Sequence, residues 1–203
     1  MPERAESKAR IELSEYLERG SSTESRATLE VYVSSILEHT GLRNSLGIAP
    51  SDFAERQEAL IDMLRNPDVW GRIWSRTSPG LHEALSSLRE EGLALLIVSN
   101  ADGTVGEKLA ACGLADSFDA VVDSGQLGVE KPDPRIFEEA LKIAGCTKDE
   151  ALHVGDLPSV DLAGAAGAGI HGILMDPFGD FADRFPNTCE SVPALAQRIL
   201  AAR

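Results

Sequence analysis

The 203-residue sequence predicts an α/β protein: a doubly wound parallel sheet preceded by a purely helical segment. Two observations carry that prediction. Beyond residue 78, short strand-like runs (Leu93–Val98, Asp119–Val122, Ala151–Val154 and Ile170–Met175) alternate with stretches of helical spacing, the pattern of a parallel sheet covered by its crossover helices. Before residue 78, helical periodicity is the dominant signal. The expected division is a helical domain over 1–78 and a sheet-based core over 79–203.

In the first segment, Ala9, Leu13, Tyr16 and Leu17 fall on one helical face. Ser21 and Glu24 have capping-box spacing and predict a helix with an apolar stripe of Leu29, Val33, Ile36 and Leu37, stopped at Gly41. Ser51 is the expected cap of a third helix marked by Phe53, Gln57, Leu60, Ile61 and Leu64. Trp70, Ile73 and Trp74 form a bulky apolar cluster that reads as core, with a substrate-facing role as the alternative.

From Ser78 the pattern changes. Ser78 as cap and Pro79 at the first helical position open a helix whose face is Leu81, Ala84, Leu85 and Leu88, ending at Gly92. Leu93–Val98 is continuously apolar, as a strand covered on both faces must be. Helices follow over Thr104–Cys112, Pro134–Ala144 (capped by Asp133, closed by Gly145), Pro158–Ala168 and Ser191–Ala202. Gly164, Gly167 and Gly169 give one of these a dinucleotide-loop composition. They lie within or at the end of a helix, where small residues permit close packing on a sheet.

Composition narrows the function. With 19 Lys and Arg against 33 Asp and Glu, the net charge of −14 provides no electrostatic footprint for nucleic acid or an anionic membrane. No apolar run approaches the ~20 residues of a membrane span, and the opening residues lack the apolar centre of a secretory signal. Cys112, Cys146 and Cys189 have no metal or redox spacing, which fits a reducing, cytoplasmic setting.

The polar signals cluster just past strand ends, where ligands bind in open α/β sheets. Ser99 and Asn100 follow the first run, Lys131 lies in the loop after the second, and Asp156 and Asp161 follow the third. A carboxylate pair there suits Mg²⁺, a hard cation that takes oxygen ligands. Hydroxyl and amide donors, one ammonium and Mg²⁺ together suit a phosphoryl group, whose transfer depends on positioning and charge neutralisation. His39, His82, His153 and His171 show no ligand or triad spacing, and His153 reads as a satisfied core residue.

These stretches, LALLIVSNADG, GVEKPDPRIFEEAL and ALHVGDLPSVDLAGAAGAGI, with PGLHEALSSLREEG before them, resemble the haloacid dehalogenase-like hydrolase superfamily, in its helical-cap phosphatase-like branch. The resemblance covers residues 79–176 closely and 1–78 loosely, as cap helices over a Rossmann-like core. It implies that Ser99 and Asn100 bind the phosphoryl group and that Lys131 stabilises charge on it. It further implies that Asp156 holds Mg²⁺, while Asp161 acts through water or by orienting Lys131. The spacing agrees, 32 residues from Ser99 to Lys131 and 25 from there to Asp156.

The family's aspartate nucleophile, on a first core strand ending in a DxDxT-like or DxGGT-like motif, has no counterpart before residue 78. Asn100–Thr104 resembles that motif with Asn in the first position, but read so it leaves the upstream helices without a place. The resemblance therefore implies an N-terminally incomplete chain that begins inside the cap and lacks the central strand. The expected gap is roughly 9–10 Å, between the strands ending at Val98 and Val154. The activity implied is Mg²⁺-dependent hydrolysis of a small phosphorylated metabolite, absent from this chain for want of its nucleophile. The alternatives are a non-catalytic phosphate-binding or protein-interaction module, and a haloacid dehalogenase.

Overall fold

The computed structural model describes residues 2–66, 69 and 77–202. The chain forms two compact units, Met1–Trp74 and Ser75–Arg203. The aromatic cluster Trp70, Ile73 and Trp74 lies outside the described residues.

The first unit is helical: α1 (Pro2–Leu17), α2 (Arg26–His39), α3 (Leu42–Ser45) and α4 (Pro50–Leu64). Ala5, Ala9 and Leu17 of α1 are buried, and so are Arg10 and Ser14. The Ser14 hydroxyl donates to the Arg10 carbonyl at 2.8 Å, and the Arg10 guanidinium lies 3.9 Å from Glu6. Two expected caps move. Helix α2 is capped by Ser25, whose Oγ accepts from the Thr28 amide, rather than by Ser21 and Glu24. Helix α4 begins with Pro50 after Ala49, leaving Ser51 inside its first turn. Proline suits that first position, since its fixed φ is already helical and its missing N–H is not needed there. Arg26 ties α2 to α4, donating to Glu58 and Asp62 at 2.6 and 2.7 Å.

The second unit starts with α5 (Leu81–Glu90), β1 (Leu96–Ser99), α6 (Val105–Ala111) and β2 (Ala120–Asp123). It continues with the single turn α7 (Ser124–Leu127), then α8 (Pro134–Ala144), β3 (Leu152–Gly155), α9 (Ala163–Gly167) and β4 (His171–Met175). The two-residue β5 (Thr188–Cys189) and α10 (Val192–Ala201) complete it. The cap expected at Ser78 is replaced by Gly80, whose φ of 77° makes the turn into α5 and leaves Pro79 outside the helix. Asp133 and Ser191 cap α8 and α10 as their spacing predicts, accepting from the Arg135 and Ala194 amides. The helix expected over Pro158–Ala168 divides into a π-helical turn, Pro158–Leu162, and α9.

All strand pairs are parallel, but they form two sheets: β1 with β2, and β3–β4–β5. No described strand joins β1 to β3. A shared core lies beneath α8, where Ile136, Phe137 and Ala140 pack with Val122, Ala165 and Ile170, and with Leu96 and Val98 of β1. On the other side, Leu93 and Leu95 meet Ala84 and Leu88 of α5 and Ala196 of α10, while Ile173 and Val154 pack near Leu195. Both faces are therefore covered, which explains the uninterrupted apolar run before Ser99.

Candidate active site at the strand ends

Two carboxylates anchor the loops at the carboxyl ends of the strands. Asp123 ends β2 in register with Ser99 of β1 and is 2% exposed. Its Oδ1 accepts from the Gly103 and Gly125 amides at 3.0 and 2.9 Å, and its Oδ2 from the Val105 amide at 3.2 Å. Next to it, Ser124 Oγ accepts from the Ala101 amide at 2.9 Å. The loop that carries Asn100 is thus held through its backbone. Sequence reasoning missed Asp123 and Ser124. The available signal was an Asp-Ser pair at a strand end, and both residue types are also common helix caps.

Asp161 is the second anchor, 3% exposed in the π-helical turn after β3. Lys131 Nζ donates to its Oδ1 at 2.7 Å, and His153 Nε2 lies 3.1 Å from the same oxygen. The Leu157 amide donates to Oδ2 at 3.0 Å. Burial opposes ionisation of Asp161, but the His153 hydrogen bond and the Lys131 charge outweigh it and hold the carboxyl well below its usual range. Gly155 makes this packing possible, because a Cβ there would lie 2.1 Å from Asp161 Cγ.

Lys131 is placed from both ends. Its amide donates to Asn100 Oδ1 at 2.7 Å, and its carbonyl accepts from Asn100 Nδ2 at 2.9 Å. The Lys131–Pro132 peptide is cis. Besides Asp161, its ammonium donates to the Val98 carbonyl at 2.9 Å. The Leu95 carbonyl bonds toward β2, accepting from the Asp119 amide. Alternation along the strand therefore turns the Val98 carbonyl to the edge of β1 away from β2. An ammonium has three donors, and these two bonds leave one to meet a ligand.

Of the residues singled out by sequence, the structure brings Asn100, Lys131 and Asp161 into one hydrogen-bonded group. Ser99 stands at the end of β1, with its hydroxyl making only a long 3.5 Å contact to the Asn100 carbonyl. Asp156 is exposed just past Gly155. As one oxygen ligand it suits Mg²⁺, which commonly takes one or two carboxylates and fills its shell with water and phosphate. Asp161 already accepts three hydrogen bonds through its two oxygens. Among the described residues no three His, Cys, Asp or Glu side chains are grouped to hold a metal ion. No described helix is long and apolar enough to cross a membrane. The Asn100–Thr104 look-alike is a local turn, with Asp102 accepting from Thr104 and Lys108.

A family model described as haloacid dehalogenase-like hydrolase matches residues 4–169. Haloacid dehalogenase-like hydrolase domain-containing protein 3 of Bos taurus is 33% identical over 143 residues, covering 70% of this chain and 53% of the relative. A phosphoserine phosphatase of Thermus thermophilus is 40% identical over 99 residues, covering 48% of this chain and 40% of the relative. The chain thus spans about half the length of the curated relatives it matches. Among solved structures, an HAD phosphatase from Thermococcus onnurineus superposes with a TM-score of 0.59 at 25% identity, over 95% of this chain and 87% of its own.

Proposed function

Because the chain belongs to the haloacid dehalogenase-like hydrolase family, we propose that its core is the phosphoryl-binding part of a phosphatase for small phosphorylated metabolites. The single observation that carries this reading is the Lys131 ammonium. It is fixed by Val98 and Asp161 and keeps one donor for an anion, while the Ser99 hydroxyl, one residue past Val98, is only weakly engaged. Charge-assisted hydrogen bonds of this kind suit phosphate oxygens. The phosphatase names of relatives such as the Thermus protein support a phosphate ester over a halide substrate. In this reading Asp156 is the chain's carboxylate for Mg²⁺, which supplies charge neutralisation at the phosphoryl oxygens when bound. Asp161 orients Lys131 and leaves the metal to Asp156. The setting is the cytoplasm.

The same reading gives these 203 residues binding without turnover. No described strand pairs with the β1 edge that carries the Val98 carbonyl or stands between β1 and β3, which favours that assignment. Losing a nucleophile costs on the order of 10⁶-fold in rate. Titration calorimetry with inorganic phosphate, with and without Mg²⁺, and an assay of p-nitrophenyl phosphate hydrolysis test both halves. Phosphate binding that disappears in Lys131→Met, with no Mg²⁺-dependent hydrolysis, is the expected result. Failure to bind phosphate overturns the binding assignment. Robust turnover overturns the assignment of inactivity and returns the chain to the active phosphatases.

A further inference from the structure

We propose that His153 is a positioning residue of this site, holding Asp161 in the rotamer that aims Lys131. The inference rests on the phosphoryl-binding reading for its purpose, but not for its geometry. His153 projects from the middle of β3, and its Nε2 lies 3.1 Å from the Asp161 oxygen that also accepts from Lys131. The imidazole therefore carries its proton on Nε2 and donates, because a carboxylate oxygen offers only lone pairs.

Two glycines fix the arrangement. The Phe137 and His153 rings meet in a T-shaped pair, with centroids 4.9 Å apart and planes at 86°. Phe137 can sit so low because Gly164 has no Cβ; one there would fall 2.5 Å from its ring. On the other side Gly155 lets the Asp161 carboxylate lie against the β3 backbone. The His153 side chain is 11% exposed and the Asp161 side chain 4%, so water does not readily replace a lost donor. A neutral core histidine would be served equally well by any buried acceptor. This one shares its acceptor oxygen with the lysine that faces the ligand.

Removing the donor frees one lone pair of a buried carboxylate, a loss of the size of a hydrogen bond to a charged group. The expected consequence is that Asp161 turns and Lys131 loses its fixed direction. The test compares His153→Phe, which keeps a ring but no donor, with His153→Gln, which keeps an N–H donor. The readouts are hydrogen exchange of the Lys131 ammonium by ¹⁵N NMR and the affinity for inorganic phosphate. In His153→Phe the ammonium should exchange about 10-fold faster and phosphate bind about 10-fold more weakly. His153→Gln should restore both to within about 3-fold, a rescue that packing alone does not provide. Unchanged ammonium exchange in a folded His153→Phe protein overturns the proposal. If that variant does not fold, the ¹⁵N tautomer signature of the unsubstituted chain decides: Nε2–H supports the proposal, and Nδ1–H overturns it. Faster ammonium exchange in a chain that binds no phosphate supports the positioning role while refuting the phosphoryl-binding reading.

Discussion

Asp123 and Asp161 invite comparison. Each lies at or past the end of a parallel strand, each is nearly inaccessible to water, and each accepts three hydrogen bonds. Their partners differ. Asp123 is surrounded by the amides of Gly103, Val105 and Gly125 and so fixes a loop. Asp161 accepts one amide, and its other oxygen faces an ammonium and an imidazole, so it fixes side chains. Amide donors are locked by the chain, whereas side-chain donors can be redirected or removed singly. Burial alone therefore does not identify a functional carboxylate; the chemistry of its donors does.

The sharpest way to break the comparison is Lys131→Met. It removes the countercharge from a buried carboxylate, and breaking such a pair typically costs about 3–5 kcal/mol. Urea denaturation should show a loss of that size, and phosphate binding should vanish in the folded fraction. A loss no larger than that of an exposed substitution contradicts the coupling seen between Lys131 and Asp161.

A pair of glycine variants should separate the two anchors more finely. A Cβ at Gly125 would lie 2.6 Å from the Gly103 nitrogen and 2.7 Å from the Ala101 carbonyl oxygen, both backbone. At Gly155 it would run into Asp161 from its Cβ outward, so the buried turn that carries Asp161 has to shift. Overpacking of this kind costs about 1–3 kcal/mol. Both variants should lie at the upper end, but only Gly155→Ala should also weaken phosphate binding. Equal weakening of phosphate binding in both variants would mean that the two anchors do not act separately.

The smallest effect is in acid. The Asp161 carboxyl is held below its unfolded value of about 3.9, so in that range the unfolded chain binds more protons than the folded one. Its stabilising contribution is complete above about pH 4 and is lost as the pH falls through the depressed folded value. Asp161→Asn should therefore flatten the decline of stability below pH 4 relative to the unsubstituted chain. An equal slope in both proteins removes Asp161 from the acid response.

The sequence by itself determined the order of the elements, because apolar periodicity, Asp133 before Pro134 and Gly145 after Ala144 are local signals acting over a few residues. It also nominated Asn100, Lys131 and Asp161, since polar residues after apolar runs mark the ligand side of an α/β sheet. It misjudged caps where two local signals compete, as at Ser51 beside Pro50 and Ser78 beside Gly80. Only the tertiary structure decided what each carboxylate does. His153 joins Asp161 because Gly155 and Gly164 let the π-helical turn and Phe137 close in on β3. Asp123 and Asp161 read alike in a string of letters, since the donors that distinguish them are up to 30 residues away and arrive only when the chain folds.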